Sequence, residues 1–262
     1  MADSRTSGAL NSGYALPASP GTISPAAGSV RAAAVAANPS SYQLPAQSRS
    51  IVDQHDVPCC VSCALGTAVE ILNPSYPPLS PLFHYYVTRY EAGGADPDGS
   101  LVLTSALGTL ATRGICSARL HNPPFSPAGA ATVPTPEARA DGQSRALVRR
   151  GVRRRYMAAA GPSRAAWTRE QLANNHPVVI GILLPQGYPQ AFLNSKYEWL
   201  NPDSAKASTS GHCLAVVGFS DIRQAVHVQD CRGNVAMDGG RWWLGYRVLD
   251  SSFVLEAYSL IP

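Results

Sequence analysis

Apolar and small residues recur at helical spacing from residue 62 to residue 72, and Asn73-Pro74 ends the run. Since a proline cannot continue a helix and restricts the residue before it, the pattern predicts a helix that ends at residue 72. A second helix is predicted where leucine and aromatic residues cluster at 82–90, and a third from a Ser100 cap to Ala111. The first half of the chain is therefore predicted to be mainly helical.

The second half of the chain predicts strands. Residues 177–184 form a continuous apolar run of strand length, which is typical of a buried strand. Residues 152–157 and 226–229 predict further strands, and the Thr-x-x-Gln pattern at 168–171 predicts a capping box that opens a short helix. The five prolines of residues 122–142 predict the crossing between the two halves.

Residues 1–49 have a different composition, dominated by Ala, Ser, Pro and Gly, with Tyr14 and Tyr42 as the only aromatic residues. So little apolar area cannot offset the entropy of ordering the chain, so we expect a disordered leader outside the core. A linker and a secretion or targeting leader, as on bacterial type III effectors or organelle transit peptides, both stay open. The leader lacks a charged helical pattern, so we do not expect it to inhibit the protein.

The chain of 262 residues carries 21 basic and 17 acidic side chains, which gives a net charge of +4. Several arginines crowd between Arg145 and Arg155. This face is either simply solvated or the site of an anionic partner such as a membrane surface. We predict no nucleic-acid partner, and we expect a monomer.

No run approaches 18 apolar residues, and no basic start followed by an apolar core opens the chain. We therefore expect neither an integral membrane segment nor a Sec-type signal peptide. The expected location is the cytoplasm, or outside the cell by another export route that includes translocation into a host cell. Six cysteines are too few for a disulfide scaffold, so free thiols are expected.

The stretch from Asp53 to Glu70 combines a polar approach, a proline turn, clustered thiols and small helix formers. It predicts a loop that delivers a cysteine, Cys60 or Cys63, to the first turn of a helix. A thiol there meets free N–H groups and the positive end of the helix dipole, which favour the nucleophilic thiolate.

A histidine that could serve this thiol lies far along the chain. His212 opens the β-branched run of residues 211–219 and is predicted to sit at a strand start, 152 residues after Cys60. That separation suits a cysteine and histidine that meet only in the fold. Asp230, which follows the predicted strand at 226–229, could orient the imidazole as carboxylates do in catalytic triads.

These segments resemble papain-like cysteine peptidases, and in particular bacterial members with an Asp-Gln pair six residues before the cysteine. That spacing fits Asp53-Gln54 and Cys60, whereas the alternative Cys-x-Ser-Cys match would make Cys63 the nucleophile. The resemblance implies that Cys60 attacks, that Gln54 holds the oxyanion and that His212 is the general base. Asp230 stands where the family has Asn, and Arg232 stands where it has a shielding Trp.

The resemblance also implies an α+β, papain-like two-lobed fold, with a helical lobe, an antiparallel β-barrel-like lobe and the active-site cleft between them. We expect the domain to span residues 50–262, mainly helical over 50–130 and mainly β over 145–262. The implied activity is hydrolysis of protein or peptide substrates through an acyl-enzyme, without cofactor or metal. The alternatives are acyl transfer, transamidation, deamidation, an inactive binding module, and a zinc site formed by Cys60, Cys63 and histidines.

Overall fold

The computed structural model describes residues 14–15, 39–44, 51–94, 99–157, 163–186, 188, 197–204, 207–234 and 237–262. Its central element is helix α1 (Cys60–Leu72), whose residues from Cys60 to Ile71 are all buried. A helix that is small and apolar on all its faces is suited to such complete burial. It ends at Leu72, as predicted, and it begins two residues before the periodic run.

The rest of the helical part consists of short helices around α1. They are α2 (Pro81–Tyr86), which continues into a π-helical turn (Val87–Glu91), and then α3 (Leu103–Arg113), α4 (Pro127–Ala130) and α5 (Pro136–Ser144). A 3-10 turn (Leu147–Arg150) follows them.

One helix prediction needs correction in this part. Helix α3 begins at Leu103, so Ser100 does not cap it. Residues 122–142, the predicted crossing between the lobes, contain α4 and most of α5. The prolines start these helices at the first helical position, where the missing N–H has no intrahelical partner to lose.

The β part is one eight-stranded sheet with the order β2-β8-β3-β5-β6-β7-β4, and β1 pairs with β5 beside this path. The strands are β1 (Ser41–Gln43), β2 (Arg153–Tyr156), β3 (Val178–Pro185), β4 (Glu198–Trp199), β5 (Ala207–Ser220), β6 (Ala225–Gln229), β7 (Arg241–Gly245) and β8 (Val254–Ile261). All pairs are antiparallel except β4 with β7. The predicted α+β papain-like class is confirmed, but the expected barrel-like closure is wrong, because the sheet is open.

Two further helices flank the sheet, α6 (Arg164–Ala173) and α7 (Tyr246–Leu249). The predicted capping box at 168–171 is wrong. Ser163 caps α6 instead, since its side chain accepts a hydrogen bond from the N–H of Ala166, and Thr168 is buried inside the helix.

Parts of the predicted leader pack on the domain. Strand β1 adds to β5, with Tyr42 opposite Phe219, and Leu44 is only 1% exposed. Tyr14 and Ala15 are also buried. At these positions the expectation of a disordered leader is corrected, because Tyr14, Ala15 and Leu44 enter the core. The remainder of residues 1–49 lies outside the described residues, and the domain boundaries stay a prediction.

The two parts share one hydrophobic core. Helix α1 packs against β5 and β3, and one continuous cluster of buried apolar side chains includes residues from α1, α3 and the sheet. The N-terminus of α1 is thereby fixed against the middle strands. None of the helices in the described part of the chain is long and apolar enough to cross a membrane.

Leu44→Ala tests whether the chain before residue 50 belongs to the folded domain. We expect it to lower the free energy of unfolding by about 2–5 kcal/mol, because it deletes a fully buried side chain. Ile222→Ala is the control, since Ile222 is 89% exposed and should change stability by less than about 0.5 kcal/mol. Equal denaturation midpoints for Leu44→Ala and the parent would show that the segment does not pack in solution.

Candidate active site

Cys60 is the first residue of α1 and is fully buried. Burial raises the pKa of its thiol well above the ordinary value, and the neighbouring Cys231 and Asp230 add to this, although the N–H of Cys213 and the charge of Arg232 oppose it. The helix N-terminus alone therefore does not produce the thiolate expected from the sequence. In this enclosed arrangement Cys60 carries its proton.

His212 and Asp230 form a buried hydrogen-bonded pair, with 2.9 Å between Nε2 and Oδ1. His212 lies inside β5, which begins at Ala207, and not at the strand start that was predicted. The register of β5 with β6 pairs Ala215 with Gln229, so the next residue, Asp230, emerges beside the His212 end of β5. The structure thus brings together two residues that the sequence separates by 18 positions.

The carboxylate of Asp230 accepts three hydrogen bonds besides that from His212. The N–H of Cys231 donates to Oδ1 at 2.7 Å, and the indole N–H of Trp242 donates to Oδ2 at 3.0 Å. The hydroxyl of Tyr188 also donates to Oδ2. Burial acts to raise the pKa of Asp230, but His212, Arg232 and these donors outweigh it and hold the pKa below its ordinary value.

The charge state of His212 follows from the same contacts. Burial acts to lower its pKa, but the charge and the hydrogen bond of Asp230, with a contribution from Cys231, raise the pKa to about 9. At neutral pH the site therefore holds an imidazolium, a carboxylate and a protonated Cys60. This state has one proton more than a thiolate–imidazolium pair.

Gln54 reaches the site through a short antiparallel contact between two loops. Asp53 pairs with Arg232, and the N–H of Gln54 donates to the carbonyl of Cys231 at 2.9 Å. The thiol of Cys231 donates to Oε1 of Gln54 at 2.8 Å. With its oxygen engaged, Gln54 keeps its NH₂ group as the end that can donate to another molecule.

The other thiols near Cys60 contact one another, and Cys63 also interacts with Cys231 of the site through a side-chain hydrogen bond. Cys63 lies one helical turn on, with its Sγ 3.8 Å from Sγ of Cys59, and all six cysteines are free. Among the described residues the metal-ligating types that cluster are His212, Asp230 and Cys231, whose ligand atoms lie within 4.8 Å of one another. That set differs from the Cys60 and Cys63 pair of the zinc alternative. The absence of a metal stays a prediction.

Two aromatic side chains of the site were not predicted from the sequence. Tyr188 and Trp242 enclose Asp230, and the guanidinium of Arg232 lies 5.1 Å from the ring of Tyr188. Together they provide the shielding that a Trp at position 232 would give. The position of Trp242 in an aromatic stretch after Asp230 could have indicated that it lies near the site. Nothing in the sequence around Tyr188 indicates the same for that residue.

The described residues leave no open approach to the site. Cys60 and His212 are both 0% exposed, and the pocket beside Cys213, Asp230 and Cys231 has a volume of about 10 Å³. Such a space holds about one water molecule. A residue of the expected leader contributes to the cover, because Tyr14 forms bridges both to Leu101 of the helical part and to Gly211, the neighbour of His212.

Comparisons with models of protein families and with curated protein sequences find no match. Solved structures do match. Xylellain, a cysteine protease from Xylella fastidiosa, has a TM-score of 0.76 at 20% identity, with 96% of each chain covered. Digestive procathepsin L2 from Tenebrio molitor larval midgut has a TM-score of 0.63 at 14% identity, covering 84% of this chain and 67% of that chain.

A third structure is the Carica candamarcensis cysteine protease CMS1MS2 in complex with E-64, with a TM-score of 0.54 at 18% identity, covering 86% of this chain and 98% of that chain. The chain has the papain-like fold. The resemblance inferred from the sequence is thus confirmed at the level of the fold, and it extends over nearly the whole chain in the match to xylellain.

Removal of the carboxylate should reveal what holds the proton on His212. In Asp230→Asn we expect the pKa of His212 to fall from about 9 to below its ordinary 6.5, because burial then acts without the opposing charge. Titration of the ring nitrogens by NMR measures this without turnover. Asp203→Asn is the control, since Asp203 lies on the surface beside Arg247. An unchanged pKa in Asp230→Asn would contradict the pairing.

Proposed function

We propose that the protein is a cysteine endopeptidase that hydrolyses peptide bonds through Cys60, His212 and Asp230. The observation that supports this most is the buried His212–Asp230 pair, which lies beside the N-terminus of α1 and leaves the second ring nitrogen, Nδ1, without a hydrogen-bond partner in the structure. In the imidazolium, Nδ1 thus carries a proton that it can give to the leaving group of the substrate.

In the proposed reaction the Cys60 sulfur, as thiolate, attacks the substrate carbonyl carbon, and the carbonyl electrons move to the oxygen. The NH₂ group of Gln54 and the N–H of Cys60 stabilise that oxyanion. His212 gives its Nδ1 proton to the leaving nitrogen as the C–N bond breaks, which leaves an acyl-enzyme. Neutral His212 then takes a proton from water, and the resulting hydroxide releases the acid and regenerates the thiolate.

Opening of the site lets the Cys60 thiol lose its proton to water, because His212 already holds its own proton and cannot accept another. The Cys60 thiol is protonated here chiefly because it is buried, so contact with water or a polar substrate lowers its pKa. His212 is already charged and favours the thiolate once the penalty of burial is reduced. We therefore propose that opening of the site and activation of the nucleophile occur together.

Asp230 keeps His212 charged and fixes the ring orientation. A family Asn accepts a hydrogen bond from the ring but carries no charge, whereas the Asp230 carboxylate stabilises the imidazolium directly. The four hydrogen bonds to Asp230 prevent a buried, uncompensated charge. The departure from the family pattern is therefore compatible with the proposed chemistry.

We also propose an anionic partner for the basic face. Arg149, Arg150 and the residues of 153–155 are exposed, and the latter lie on the edge strand β2. Arg145 does not belong to this face, because it is largely buried in an ion pair with Asp141. We further propose that the protein is a bacterial effector that is exported by a route other than the Sec pathway.

Covalent labelling distinguishes the two candidate nucleophiles. An epoxide inhibitor such as E-64 should modify Cys60 in the parent, and Cys60→Ala should abolish both labelling and turnover. Cys63→Ala should still be labelled, because Cys63 lies one turn further along α1, where its thiol contacts Cys59 and Cys231. Mass spectrometry of the digested protein locates the adduct. Labelling that survives in Cys60→Ala but disappears in Cys63→Ala would overturn the assignment.

Gln54→Ala tests the oxyanion contact. Loss of one such donor should lower kcat about 10²- to 10³-fold with a smaller change in KM, since the hydrogen bond strengthens as charge develops on the oxygen. Gln143→Ala, an exposed position in α5, should leave both constants unchanged. Steady-state kinetics on a fluorogenic peptide measures them, and an unchanged kcat in Gln54→Ala would remove Gln54 from the mechanism.

A further inference from the structure

An exposed apolar side chain lies inside the basic face. Val148, in the 3-10 turn Leu147–Arg150, is 65% exposed, and the exposed Arg149 and Arg150 follow it directly. Leu147 is only 2% exposed and anchors the turn in the core. The turn therefore holds Val148 outward beside charged side chains, where most of its surface meets water.

The positive charge around this valine is largely unneutralised. In the described part of the chain, no ion pair involves four of the arginines of the face, Arg149, Arg150, Arg153 and Arg154. The fifth, Arg155, has its Nη1 3.7 Å from Oε1 of Glu170, and both side chains are half exposed, so that pair is weak.

A neighbouring histidine shows the effect of this charge. Burial lowers the pKa of His176, and the charges of Arg155 and Arg153 lower the pKa further, against an opposing effect of Glu170. The side chains of β2 therefore create a net positive potential at the surface of the sheet.

The shape of the face suits a broad plane more than a groove. Side chains alternate along a strand, so Arg154 lies on the opposite face of the sheet from Arg153 and Arg155. Strand β2 is at one end of the strand order and pairs with β8. A groove on one face of the sheet would collect only one set of these side chains, whereas a plane that approaches the edge meets both sets and the turn before them.

We propose that the basic face docks on an anionic lipid surface, with its arginines at the headgroups and Val148 inserted between them. Each basic side chain near such a surface raises the affinity roughly fivefold. A soluble polyanion would also pair with the arginines, but it would gain nothing from an exposed valine, which a lipid surface removes from water. The inference names the partner of the basic face and rests on the anionic partner proposed above, but it uses no chemistry at Cys60.

Binding of the full-length protein to lipid vesicles tests this docking. Vesicles of phosphatidylcholine with about one third phosphatidylserine should sediment the protein, and vesicles of phosphatidylcholine alone should not. About 0.5 M salt should release the protein from the mixed vesicles, because the salt screens the charges at short range.

The contribution of charge is measured with paired double variants. Arg149→Gln with Arg150→Gln should raise the Kd for the mixed vesicles about 20- to 30-fold, because two contacting charges are lost. Arg223→Gln with Arg247→Gln lowers the net charge equally, but these arginines pair with acids in or next to β4, at the other end of the sheet. This control should change the Kd less than about twofold, since charges that remain far from the lipid are screened.

The contribution of insertion is measured with a pair of valine variants. Val148→Ser should raise the Kd about fivefold or more, because the apolar side chain that leaves water is lost. Val133→Ser is the matched control, since Val133 is 64% exposed but lies between α4 and α5, outside the basic face, and it should leave the Kd unchanged. Thermal denaturation of each variant confirms that the compared proteins are folded.

Several results would overturn lipid docking. They are equal binding to both kinds of vesicle, binding to neither, or an unchanged Kd in the Arg149 and Arg150 double variant or in Val148→Ser. A fluorescent polyglutamate peptide separates this inference from the broader proposal. Binding of the peptide without binding of vesicles would keep an anionic partner and reject the lipid, and binding of neither would reject both. All these measurements use Cys60→Ala as well as the parent, so the peptidase proposal is tested separately by labelling.

Discussion

The site depends on the hydrogen bond between His212 and Asp230, two charged groups that are both fully buried. The buried carboxylate of this pair is stable only when its oxygens accept further hydrogen bonds. The backbone of Cys231, the indole of Trp242 and the hydroxyl of Tyr188 donate them. Strands β5, β6 and β7 and the loop that carries Tyr188 must therefore all be in place before the imidazole has its charge and orientation.

The same burial explains why the structure shows a resting state. It keeps the proton on Cys60, and it leaves about 10 Å³ beside the pair. The raised pKa of His212 also makes the stability of the fold depend on pH. A pKa raised from 6.5 to about 9 contributes stability that is fully present below about pH 6.5 and is lost as the pH rises through about 9. The charge that the proposed reaction requires thus also stabilises the fold at neutral pH.

The elements that the sequence predicts well are those whose signal is local and strong. Helix α1 ends where Asn73-Pro74 requires, and the apolar run of β3 is a buried strand. The roles of Tyr188 and Tyr14 depend on contacts across 42 and 242 positions, which no local pattern records. The prediction of where α6 begins was wrong for a different reason, because the Thr-x-x-Gln pattern occurs by chance inside a helix that Ser163 caps. Sheet closure was expected from the resemblance alone, and hydrophobic patterning does not determine it.

The most direct test of the central pair is the pH dependence of kcat/KM in the parent and in Asp230→Asn. If Asp230 keeps His212 protonated, the parent should lose activity on the alkaline side near pH 9, at the pKa of the imidazolium. The alkaline limb of Asp230→Asn should lie at lower pH, because the neutral amide no longer opposes the effect of burial. Identical alkaline limbs in the two proteins would contradict the account.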